Sequence, residues 1–168
     1  MNKIARILKH RWLDEGDARR ALGADALQRL RDRVRASEAA HTGEIRVCVE
    51  ASLPMSYLMR NASARERAVA MFGKLRVWDT ENNNGVLIYL LMAEHRIEIV
   101  ADRGVDRCVP DQHWQGIVGS MSKAFAAGRF EDGLNTAVDA VGSLLLEHFP
   151  RLPGQADVNE LPDEPDMR

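Results

Sequence analysis

The chain has 168 residues, 45% hydrophobic and 29% charged, with 23 Lys and Arg against 25 Asp and Glu and a formal net charge of −2. That is the composition of one globular domain large enough to fold without cross-links, and it lacks the bulk positive charge of a nucleic-acid binder. Two cysteines, Cys48 and Cys108, exclude a disulfide framework and a four-cysteine zinc site, and no apolar run reaches the roughly 18 residues that a spanning helix needs.

Residues 1–12 carry Lys3, Arg6, Lys9 and Arg11 and no acid. Charges interrupt the apolar residues too often for an export signal, so a cytoplasmic location is expected. Ile4, Ile7, Leu8 and Trp12 share one helical face, which reads as a short basic amphipathic segment. Two roles suit such a segment: docking on its own domain, or peripheral contact with an anionic membrane, here at its inner face. Residues 1–23 form this N-terminal part, residues 24–150 the domain proper, and residues 151–168 an acidic tail. Pro153, Pro162 and Pro165 with Asp157, Glu160, Asp163, Glu164 and Asp166 predict disorder there.

Within the domain, Asp25 and Gln28 resemble a capping box, and Leu27, Leu30 and Val34 predict a helix over 24–40. Glu44–Glu50 alternates, with Ile45, Val47 and Val49 on one face, and reads as a half-buried strand. Residues 53–61 read as a connection packed on the domain. Ser63 and Glu66 form a second capping box, opening a helix to about Leu75. Residues 79–85 are a polar turn cluster. Val86–Met92 is uninterruptedly apolar, a strand buried on both faces, and residues 96–101 are its hairpin partner. Trp114 to Phe125 and Leu134 to Leu145 repeat at three and four, predicting two more helices. A strand–helix–strand unit, a hairpin and helices for both faces predict a three-layer α/β/α sandwich on a small mixed sheet.

The hairpin narrows the search for chemistry. Its second strand must end beside the start of its first, so Asp102, Arg103, Gly104 and Asp106 return to loop 79–85. Carboxylate and amide oxygens on two converging loops are the donors that Ca²⁺ or Mg²⁺ takes, and Gly85 and Gly104 would let backbone carbonyls turn inward. Turn conformation alone also favours Asp, Asn and Gly. The spacing does not match an EF-hand loop. The five histidines show no metal-ligand spacing and are expected at the surface or in caps; no nucleophile elbow or phosphate-binding glycine fingerprint occurs. Cys48 is expected to be a buried, inert thiol.

The stretch Val77-Trp-Asp-Thr-Glu-Asn-Asn-Asn-Gly-Val-Leu-Ile-Tyr-Leu-Leu resembles the TPM domain family, named for a thylakoid lumen protein, a photosystem II repair protein and a modulator of acetylcholine receptors. The likeness continues through Ile97–Gly104 and Phe125–Gly133 and covers about residues 44–149. As a whole the chain resembles the short cytosolic bacterial branch, which opens on a basic helix in place of a secretion signal and has no C-terminal membrane helix. The resemblance implies the same sandwich, a divalent cation at loops of one sheet end, a role as an accessory factor to membrane-protein complexes and, in some plant members, weak acid phosphatase activity. Carried onto this chain, it nominates Asp79 and Asp102 with Asn83 or Asn84 as ligands. With Glu81 from the same loop, the expected metal set is Asp79, Glu81, Asn83, Asn84 and Asp102.

Two functions follow. In the first the chain is an interaction module that binds Ca²⁺ or Mg²⁺ at loops 79–85 and 102–106 and acts with a membrane-associated protein partner. In the alternative it is a metal-dependent phosphomonoester hydrolase, with Arg103 offsetting phosphoryl charge and Asp106 handling a proton. No nucleophile is identified for the second.

Overall fold

The structure, a computed structural model, describes residues 3–156 and 158–168. Residues 1 and 2 of the predicted basic segment and Asp157 of the acidic stretch lie outside the described residues. Four strands, β1 (Glu44–Glu50), β2 (Gly85–Leu91), β3 (Arg96–Ala101) and β4 (Asp166–Met167), form one mixed sheet in the order β3-β2-β1-β4. β1 and β2 run parallel in the register Glu44↔Gly85 to Glu50↔Leu91. Their connection carries α4 (Met55–Met59) and α5 (Ala64–Lys74). β3 returns antiparallel to β2, from Leu91↔Arg96 to Val86↔Ala101. The turn between them is a short 3-10 segment, Met92–Glu94, closed by His95 at a left-handed φ of 51°.

Strand alternation divides the core. Val86, Ile88 and Leu90 face one side with Ile45, Val47 and Val49; α2 (Glu15–Leu22), α3 (Ala24–Glu38), α7 (Asp111–Ala126) and α8 (Phe130–His148) cover that side. Leu87, Tyr89 and Leu91 face the other with Cys48, and α5 and Leu58 of α4 cover them. Every β2 residue is buried, as an apolar run flanked by strands on both edges requires. The architecture is the expected three-layer α/β/α sandwich. α1 (Lys3–Arg11) is an outlying helix against α4, and a four-residue turn, α6 (Arg103–Asp106), follows β3.

Local sequence explains the helix starts. Ser63 and Glu66 make the predicted capping box, with Glu66 N donating to Ser63 Oγ at 3.1 Å and Ser63 N to Glu66 Oε2 at 2.8 Å. Asp25 does not cap α3. The preceding helix α2, itself boxed by Asp14 and Asp17, runs to Leu22, so Gly23 at φ 80° becomes the junction and Asp25 falls in the first turn.

The end of the acidic tail, residues 161–168, packs on the sheet. β4 pairs parallel with β1, Ala51 N donates to Arg168 O at 2.7 Å, and Arg168 N to Val49 O at 2.9 Å. The cause is Arg46, which alternation puts on the face opposite Ile45 and which is buried. A buried guanidinium must have acceptors. The tail supplies the carbonyls of Pro162, at 2.7 Å, and Glu164, while Leu161 and Met167 join the core. β1 is consequently buried along both faces and not half-buried. His10 and His41, expected at the surface or in caps, are buried close to the ends of α1 and α3. His41 Nδ1 and Nε2 engage Gly43 O and Ser37 Oγ. His10 accepts from Leu53 N at Nδ1, which leaves Nε2 as its donor to Glu94.

At the far end of β1, Arg67 of α5 forks onto the buried Glu50 carboxylate, with Nε–Oε2 and Nη2–Oε1 at 2.9 and 2.6 Å. Tyr89 O–H donates to Glu50 Oε2 at 2.5 Å. Burial and the Glu50 charge push the Tyr89 phenol up, so it stays a donor. Removing one partner leaves an uncompensated buried charge. Arg67→Ala is therefore expected to cost about 3–5 kcal/mol in urea denaturation. Changing the pair together, Arg67→Met with Glu50→Gln, should cost less than Arg67→Ala alone.

Candidate functional site

The two polar loops converge as the hairpin demands. Asp102 N donates to Gly85 O at 2.8 Å and Gly104 N to Asn83 O at 2.9 Å. Both glycines are sterically required. A Cβ on Gly85 would stand 2.1 Å from Val77 O, and one on Gly104 2.5 Å from Asn83 O and 2.7 Å from Asn82 O. The site is thus a backbone clamp between the start of β2 and the end of β3.

The side chains divide. Asp102 is buried; Oδ1 accepts from Arg103 N at 2.7 Å as an N-cap, and Oδ2 is buried without a hydrogen-bond partner. Asn84 is fully buried, with Nδ2 donating to Thr42 O at 2.9 Å and Oδ1 likewise unpartnered. Strand phase separates these two oxygens: Asn84 continues the side of Val86, and Asp102 the side of Val100, against α5. Asp79 is exposed and paired with Arg76 Nη2 at 2.6 Å. The Glu81 side chain is exposed, and its backbone N–H binds Glu160 Oε2 at 2.8 Å. Asn83 takes the left-handed φ of 51° and contributes through its carbonyl. Among the described residues no group of three His, Cys, Asp or Glu side chains is placed to hold a metal ion. At the junction the Asn82 and Asn83 carbonyls face Gly104, and Asp102 Oδ2 is buried without a hydrogen-bond partner.

Sequence reasoning missed Glu44. It sits at the same sheet end, its N–H on Asn84 O at 3.3 Å and its Oε2 accepting from Leu161 N at 3.1 Å. Burial pushes its carboxyl up to about 7, opposed by the Leu161 and Glu160 N–H groups and reinforced by the charges of Glu160 and Asp163. The signal was available: in a parallel pair, the first residue of β1 lies beside the first of β2. The Glu160 and Asp163 contribution needed the folded tail.

A groove of about 790 Å³ lies between the outer edge of β3 and α7, lined by Arg65, Arg96, Glu98, Asp106 and Trp114 among others. Asp106 reaches it and Arg103, exposed, does not line it. Ser122 and His95 also border the groove. Ser122 Oγ donates to Val118 O at 2.9 Å, and the His95 ring meets Phe130 edge-on at 5.4 Å. Neither contact forms the nucleophile–base pair of a covalent hydrolase. Cys48 is buried and its thiol is pushed up by burial and by Asp166, the inert state expected of it.

Against known proteins, the model of the TPM domain matches residues 17–144. The chain belongs to the TPM domain family. It is similar in structure to the BA42 protein of the psychrophilic bacterium Bizionia argentinensis, solved by NMR, with 28% identity, a TM-score of 0.74, and 86% of this chain and 93% of that one covered. The N-terminal domain of a P. gingivalis protein, also solved by NMR in solution, shares the fold at 24% identity and a TM-score of 0.63, covering 78% of this chain and 82% of that one. No curated protein matches this TPM chain. Its described helices include none long and apolar enough to cross a membrane.

Glu44 makes the sheet end pH-sensitive in a defined direction. Its folded value of about 7 lies above the unfolded 4.5, so between these the native state holds the extra proton. The stability it contributes is present below the unfolded value and is lost as pH rises from about 4.5 to 7. Denaturation midpoints measured across that window should fall, and Glu44→Gln should flatten the slope.

Proposed function

We propose that this TPM domain is an interaction module whose clamp of loops 79–85 and 102–106 takes a divalent cation, Ca²⁺ or Mg²⁺, and presents the ordered sheet end to a membrane-associated protein partner. The observation that carries this reading is Asp102: a buried carboxylate with one oxygen committed to a cap and the other unpartnered, beside carbonyls wrapped around Gly104. An unpaired buried carboxylate oxygen is costly, and a hard cation with oxygen ligands relieves it. Asp79 and Glu81 would join only by leaving Arg76 and solvent. No contact in the groove favours the hydrolase reading over the module.

The cation should raise the melting temperature by mass action, about 2.7 kcal/mol of stabilisation at a hundredfold excess over Kd. Asp102→Asn keeps a side-chain oxygen for the Arg103 cap and should abolish the shift. An Asp79→Asn variant should retain it. A shift that survives in Asp102→Asn removes Asp102 as a ligand. With p-nitrophenyl phosphate, the protein loaded with Mg²⁺ or Ca²⁺ is expected to release no more product than Asp106→Asn; turnover lost in that variant would instead support the hydrolase.

A further inference from the structure

α1 is docked by its polar side. Arg6 Nε bonds Glu94 Oε1 at 2.6 Å, Arg6 Nη2 donates to Ala62 O at 2.8 Å, and His10 Nε2 meets Glu94 Oε1 at 3.0 Å. Ile7, on the same side, packs against the smaller core cluster. At 100° per residue, Arg6, Ile7 and His10 share one side of the helix, and Ile4, Leu8 and the continuing Trp12 fall on the other. That stripe is turned to solvent, with exposures of 66%, 52% and 82%. Lys9 and Arg11 flank it on either side, and both are exposed. The neighbouring α4 adds Met55 and Met59, 51% and 59% exposed, and Lys3 Nζ reaches Met59 O at 2.6 Å.

An amphipathic helix fixed to a domain by an ion-pair network, with its apolar stripe outward and cations along both borders, has the geometry of an interfacial helix. We propose that α1, with the edge of α4, docks this protein on an anionic lipid surface. Leu8 and Trp12 enter the headgroup boundary, and Lys9 and Arg11 pair with lipid phosphates. The charge complement selects lipid over a second copy of the chain: α1 has no acid, so two such faces brought together would oppose cation to cation. The surface lies apart from the loop clamp, and the proposal does not depend on a cation there.

The test is co-sedimentation of the full chain with vesicles of phosphatidylcholine alone and of equal parts phosphatidylcholine and phosphatidylglycerol. Binding is expected to the anionic vesicles alone, to weaken with salt, and to bring a blue shift in fluorescence that Trp12→Phe removes. Leu8 and Trp12 are exposed, so Leu8→Gln and Trp12→Ala should leave urea denaturation unchanged while each lowers partitioning on the order of tenfold. Lys9→Glu with Arg11→Glu should lower it by at least about tenfold. Absence of binding to the anionic vesicles, or binding that Leu8→Gln leaves intact, would overturn the proposal. So would a dimer in analytical ultracentrifugation that Leu8→Gln dissolves, since the stripe would then be covered by a second copy.

Discussion

Everything in this molecule is hung on β2. Its seven residues are buried, paired on both edges, and packed between two helical layers. A polar group along such a strand needs a buried partner, as the Tyr89 hydroxyl has in Glu50, and the other side chains with chemistry lie toward its ends. Gly85 opens the loop clamp at one end. Leu91 at the other leads into the turn that carries Glu94, beside the buried Glu50–Arg67–Tyr89 cluster. Seven residues at roughly 3.3 Å each put about 20 Å between the two poles. The clamp and the α1 surface are therefore separate parts of the protein, joined by a rigid strand.

Much of this was legible because it depends on local pattern. The apolar run Val86–Met92, the alternation after it and the Ser63–Glu66 box report their own environments, and they led to the fold and to the meeting of Asp102 with Gly85. What escaped depends on distant parts of the chain. β4 is two residues long and has no periodicity; it exists because Arg46 needs the carbonyls of Pro162 and Glu164. The eight-residue α2 is held by Asp14 and Asp17, a box written with Asp where Glu or Gln is usual. Turn composition does not tell which loop side chains point inward and which outward. Asp79 is drawn off by Arg76, three residues before it, while Asp102 is fixed by the hairpin.

The helical wheel of residues 3–12 teaches the same lesson more sharply. Periodicity shows which residues share a face, but not which face meets the domain. Here the deciding residue is Glu94, far away in sequence. Hydrogen bonds from His10 and Arg6 hold its carboxyl down at about 2, and the pair turns the polar side of α1 inward. A folded value below the usual 4.5 means that this attachment is complete above about 4.5 and fades as pH falls toward 2. At neutral pH the orientation of α1 is thus fully enforced.

The open edge of the sheet shows a related device. Asp102 N bonds back to Gly85, so the register makes Arg96, Glu98 and Val100 the residues bonded to β2, and Ile97, Ile99 and Ala101 the ones whose backbone groups face outward. Arg65 of α5 caps the Ile99 carbonyl among them. A bare edge invites another strand, and a guanidinium across its middle discourages that. The carboxylates of Asp79, Glu81 and Glu160 gather at the clamp, partly offset by Arg76 and Arg103, while the cations of α1 gather at the opposite pole. This polarity runs along β2. In the field of an anionic surface this polarity would turn α1 toward the surface and the clamp away from it, so the two proposed contacts, lipid at α1 and a partner at the clamp, would fit one orientation of the domain.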